Sequence, residues 1–111
     1  MNKRIKKLWI EALRSGEYRQ GRDQLVEENL HGGDDFCCLG VLTDLYVQER
    51  GNPTRAWGGW KGQGYYLAPR VWKWAGLDGY NPLVEKKLTL ANANDRGDSF
   101  IKIAGLIERN L

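Results

Sequence analysis

The sequence predicts an α+β fold: one mainly helical domain over residues 1–111, with three or four helices and short β-hairpins as satellites. Three observations carry this. The chain has 111 residues, 41% of them hydrophobic and 28% charged, which suits one small folded domain and leaves no room for two ordinary ones. Both ends carry an apolar stripe at helical spacing. Between them lie polar, glycine-punctuated stretches that hold only short apolar runs.

The first helix begins at Asn2, a capping residue. Ile5, Leu8, Trp9, Ala12 and Leu13 form its stripe, while Lys3, Lys6, Lys7, Glu11 and Arg14 take the other faces. Gly16 supplies a left-handed stop. Residues 17–36 show no helical stripe. Tyr18, Gln20 and the Leu25-Val26 pair suggest short extended segments, and His31-Gly32-Gly33-Asp34 a turn, so a small hairpin is expected. A second helix runs from about Cys37 to Glu49, capped by Asp34 or Asp35, with Cys38, Val41, Leu42, Leu45 and Tyr46 inward. It is apolar nearly all round at its start, the mark of a buried central helix. Gly40 inside it costs about 1 kcal/mol against alanine and points to a closely packed neighbour.

Residues 52–68 alternate glycine with aromatic and basic residues and read as a loop or loose hairpin. Pro69 opens a short helix to Ala75, stopped by Gly76. Leu83-Val84 and Leu88-Thr89-Leu90 suggest a second hairpin, with Leu88 and Leu90 on one face. The last helix is capped by Asp98 or Ser99 and turns Phe100, Ile103, Ala104, Ile107 and Leu111 to one side.

Charge is arranged in blocks. Residues 1–22 carry seven Lys/Arg against two Glu, residues 23–35 five acids and no Lys/Arg, and residues 50–75 five Lys/Arg and no acid. Intramolecular pairing on a solvated surface is one reading. The other makes the last block a positive, aromatic-lined surface for an anionic partner. A net charge of +3 is too modest for a general nucleic-acid binder, so nucleic acid is not the expected partner. No apolar run approaches the length of a membrane span. The basic start is followed by no leader-like apolar stretch, because Glu11 and Arg14 interrupt, so a cytoplasmic location is expected.

Cys37 and Cys38 are the only cysteines, and adjacent cysteines rarely bridge. No disulfide framework, metal site or cofactor is expected. A thiol at a helix start can become a nucleophile if a base lies near, and His31 is the only histidine. The plainer reading makes both cysteines small buried hydrophobes. No catalytic residue is assigned.

Five pieces taken together resemble a group of small proteins encoded by tailed phages and prophages. They are Trp9-x-x-Ala12-Leu13-Arg14-Ser15-Gly16, Tyr18-x-Gln20-Gly21-Arg22, Cys37-Cys38-Leu39-Gly40-Val41-Leu42, Leu67-x-Pro69-x-Val71-x-x-Trp74-x-Gly76-Leu77 and Asn94-Asp95-x-Gly97-x-Ser99-Phe100-x-x-Ile103-Ala104-x-x-Ile107-Glu108. The resemblance implies a phage or prophage origin and a bacterial cytoplasm. It implies no activity.

The candidate ligand-binding residues are Gln20, Arg22, Arg55, Trp57, Trp60, Lys61, Tyr65, Asn94 and Asp95. Trp57, Trp60, Tyr65 and Tyr66, interleaved with Arg55 and Lys61, offer planar rings and cations to a nucleobase with phosphates, or to a protein. The same aromatics could instead fold back over the core. Asn94 and Asp95 precede the last helix, whose N-terminus suits an anion; ordinary turn and capping chemistry is the alternative. The expected role is a non-enzymatic, phage-encoded binding protein that counteracts bacterial defence. It would sequester a small anionic, nucleotide-derived ligand, or inhibit a defence protein directly; a cysteine-dependent enzyme comes third. A homodimer would help bury the tryptophans.

Overall fold

A computed structural model of the chain describes residues 1–57 and 64–111. Helix α1 (Lys3–Arg14) forms where its stripe predicts. Asn2 Oδ1 accepts from the Ile5 amide at 3.0 Å, and Gly16 leaves the helix at φ 77°. Its stripe buries Ile5, Trp9, Ile10 and Leu13, largely against the last helix. Trp9 is fully buried, and its indole N–H donates to the Cys38 carbonyl at 3.0 Å, so no polar group is stranded beneath the ring.

Three short strands follow: β1 (Arg19–Gln20), β2 (Val26–Glu28) and β3 (Asp34–Phe36). β2 and β3 form the expected hairpin. β1 then adds to the other side of β3, parallel to it, giving the order β1-β3-β2. Helix α2 (Cys38–Arg50) is the central element and contacts α1, β3 and the three helices introduced below as α3, α4 and α5. Its cap differs from expectation. Asp34 and Asp35 are spent in β3, and Cys37 Sγ accepts from the Gly40 amide at 3.4 Å instead.

Gly40 is where two layers touch. A Cβ there would fall 1.7 Å from the Leu25 carbonyl oxygen, inside any allowed contact. Only glycine admits the chain before β2 so close to α2. The same carbonyl accepts from the Cys37 amide at 3.2 Å, and the Leu25 amide donates to the Gly64 carbonyl at 2.8 Å. One residue thus ties the sheet, the central helix and the segment entering Tyr65.

Helix α3 (Pro53–Ala56) is a single turn within the predicted loop. Helix α4 (Pro69–Trp74) matches its proline start and buries Val71. Strands β4 (Leu83–Glu85) and β5 (Leu88–Thr89) make the second hairpin. Leu90 does not extend it: Thr89 Oγ1 accepts from the Asn92 amide and starts helix α5 (Leu90–Asp95). Asn94 and Asp95 therefore sit in a helical turn, not in a connecting loop. Helix α6 (Phe100–Asn110) closes the fold, with Ser99 as its cap. The described residues thus hold six helical segments; α3 and α5, short and without a long stripe, are the two that periodicity does not reveal. The buried side chains form one continuous cluster.

Gly40→Ala is expected to lower stability by about 3 kcal/mol, because backbone rather than a yielding side chain meets the new methyl. Urea unfolding checks this. A loss under about 0.5 kcal/mol, the range of an unremarkable surface change, would contradict the close approach.

Candidate functional site

The candidate residues fall into three settings. Gln20 and Asn94 form an internal knot. Asn94 is buried; its Oδ1 accepts from Gln20 Nε2 at 3.0 Å and from the Cys38 amide at 3.1 Å, while its Nδ2 donates to the Gly21 carbonyl at 2.8 Å. Gln20 Nε2 also donates to the Asp98 carbonyl at 2.8 Å, and Gln20 Oε1 accepts from the Phe100 amide at 3.1 Å. Asn94 is thus engaged on both sides of its carboxamide and is not offered to a ligand by this network. The N-terminus of α6 is likewise occupied by the chain's own groups. Gln20 takes the Phe100 amide and Ser99 the Lys102 amide, and Asp98 lies beside them, paired with Arg96 at 2.8 Å and Lys102 at 3.3 Å. The Arg96 hydrogen bond, followed by that from Lys102, holds the Asp98 carboxyl below its usual range.

Trp57 belongs to the second setting. It is 5% exposed, and its ring lies 6.3 Å from that of Phe36, so it lids the core and does not face a ligand. Arg55 lies on α3. Trp60 and Lys61 fall outside the described residues. Arg22 is exposed near Gly97 and does not line the cleft described next.

The third setting is an open cleft of about 670 Å³. Asp23, Glu27 and Asp95 line it together with Tyr65 and Tyr66, and among the described residues every charged side chain of this lining is an acid. Asp95 Oδ1 accepts from the Asp23 amide at 2.9 Å, which joins the turn after β1 to α5. Asp23 holds φ 68°, an uncommon backbone for a non-glycine residue. Tyr65 and Tyr66 are half exposed. Asp95 and Tyr65 are therefore the two candidate residues brought to one solvent-open place. Asp23 and Glu27 were not singled out by the sequence. Glu27 reads as half of a solvated acid pair, and only the fold turns it toward Asp95.

The thiols sit apart from this cleft. Both cysteines are buried. Burial pushes the Cys37 thiol up to about 11 and the Cys38 thiol well above its ordinary value, opposite to the activation a nucleophile needs. Cys38 Sγ donates to the Leu90 carbonyl at 3.6 Å. His31 is exposed on the β2–β3 turn, six positions before Cys37, with the three residues of β3, about 10 Å of extended chain, lying between them. Among the described residues no cluster of His, Cys, Asp and Glu could hold a metal ion, and no helix is long and apolar enough to cross a membrane.

The thiols set an expected alkaline limit. Folding keeps them protonated, whereas the unfolded chain releases their protons from about the ordinary value of 9.0. The contribution of Cys37 is complete below that pH and disappears as pH rises through about 11, and that of Cys38 is lost in the same direction. The urea midpoint should fall over this window, and a Cys37→Ala/Cys38→Ala variant should lose part of the fall. An equal fall in both proteins would contradict buried thiols as a cause.

No curated protein and no solved structure matches the chain. One family model, described as Domain of unknown function (DUF8296), matches residues 1–111. With its whole length covered, the chain belongs to the DUF8296 family.

Proposed function

We propose that the protein is a non-catalytic phage accessory protein that counteracts bacterial defence by docking directly on a host defence protein. The phage setting rests on the motif resemblance given above. The docking mode rests on one observation: Tyr65 and Tyr66 stand half exposed in an open cleft whose charged lining, among the described residues, is acidic. Tyrosines present large contact area at low entropic cost and are favoured at protein interfaces. The buried, alkaline-shifted thiols support binding over cysteine chemistry.

Sequestration of a small nucleotide-derived anion ranks second. The α6 N-terminus on which it drew is filled by Gln20 and Ser99, and the cleft at Asp95 repels negative charge. Such a ligand would need the cations of the 50–75 block, gathered at some other place.

The reading is tested by expressing the full chain in bacterial strains that each carry a different defence system, then plating phage. In at least one strain, plating should rise well above the empty-vector control. Tyr65→Ala/Tyr66→Ala should abolish the rise while circular dichroism confirms the fold, and Cys37→Ser, which keeps a capping atom, should retain it. Relief in no strain would overturn the role. Relief that survives the tyrosine variant, or that tracks binding of a nucleotide in calorimetry, would overturn direct docking.

A further inference from the structure

A second cleft, of about 550 Å³, adjoins the first and shares one wall with it, Tyr66. Its lining includes Tyr80, Pro82 and Leu83, and among the described residues Asp78 carries its one charged side chain. The Tyr66 and Tyr80 rings meet edge to face at 5.1 Å, held by the Leu67 amide donating to the Tyr80 carbonyl at 3.0 Å. Tyr80 and Leu83 are each 58% exposed, so this wall is an apolar surface left open to water. From one end to the other the two clefts change character: carboxylates at Asp23, Glu27 and Asp95, rings in the middle, and apolar surface at Leu83. No Lys or Arg lines either of them among the described residues.

We infer that the two clefts form one docking groove for an extended segment of a partner protein, with Lys or Arg side chains at one end and apolar side chains at the other. The inference rests on the binding role proposed above and names the chemistry of the partner. Charge complementarity selects the occupant. Cations at the Asp95 end gain the field of three carboxylates and the faces of Tyr65 and Tyr66. Apolar side chains at the other end cover Tyr80 and Leu83.

The probe is a fluorescein-labelled peptide of about eight residues, half Arg and Lys, half Leu and Phe, followed by anisotropy with the full-length protein. The control peptide carries Glu in place of every Arg and Lys. The basic peptide should bind about tenfold more tightly than the acidic one at low salt, and this preference should shrink as salt rises. Tyr66→Ala should weaken the basic peptide about tenfold, the cost of a central interface ring. Asp95→Asn, which keeps the oxygen that accepts from the Asp23 amide, should reduce the charge preference if Tyr66→Ala proves poorly folded. Equal binding of both peptides, or binding of neither, overturns the inference. So does a dimer in sedimentation that Tyr66→Ala breaks, since the groove would then belong to a second copy, or tighter binding of a single-stranded oligonucleotide. Plating relief with peptide indifference removes this inference alone. Peptide preference without plating relief removes the anti-defence role and leaves the groove.

Discussion

The fold turns on the carboxamide of Asn94. One side chain on α5 accepts from the second residue of β1 and from the first amide of α2, and donates to the carbonyl just after β1. Through Gln20 the same knot reaches the Asp98 carbonyl and the first amide of α6. Four segments far apart in sequence are fixed by two amide side chains. A buried amide group left unpaired costs about 1–3 kcal/mol, so each bond of the knot is costly to lose. The knot also sets the cleft. With Asn94 anchored inward, the neighbouring Asp95 stays at the surface and binds the Asp23 amide. The Asp95 carboxylate is held beside Asp23 by that residue's backbone amide.

A second constraint works from the other side of the sheet. Leu25 presses its carbonyl onto Gly40 and receives the Cys37 amide, while its own amide holds Gly64. The knot positions the acids and Leu25 positions the chain entering the tyrosines. The cleft is where these two sets of bonds meet. Among the described residues its charged lining is acidic, in contrast to the basic composition of residues 50–75. The positive block of residues 1–22 is partly consumed within the fold: Arg4 pairs with Glu49 at 2.7 Å and Arg19 with Asp35 at 3.4 Å.

The terminal helices, the proline-led α4, both hairpins and the tight approach at Gly40 were legible because each is written in local pattern. Stripes, caps and turn residues act within a few positions. What was not legible depends on distant partners. The parallel pairing of β1 with β3 joins residues some 16 apart, and nothing in Arg19-Gln20 announces it. Helix α5 is too short for a stripe and reads as the end of a strand. Cys37 outcompetes the aspartates as a cap because β3 has already used them. At the site, Asn94 and Asp95 look alike in sequence, yet one is core and the other surface. Trp57 and Tyr65 were grouped by composition, and the fold separates them, one under Phe36 and one in solvent. Residue type gave the aromatic character of the surface and Asp95, but Asp23, in the turn after β1, and Glu27, on β2, join that acid only through the fold.

The account stands on the cooperation of Gln20 and Asn94, and a double-mutant cycle in urea measures it directly. Gln20→Ala and Asn94→Ala should each cost about 1–3 kcal/mol. The double variant should cost less than their sum by about 1–2 kcal/mol, because either change alone already breaks the shared bonds. Strictly additive losses, or singles that fall within the noise of ordinary surface changes, would contradict the knot as the feature on which the fold and its cleft depend.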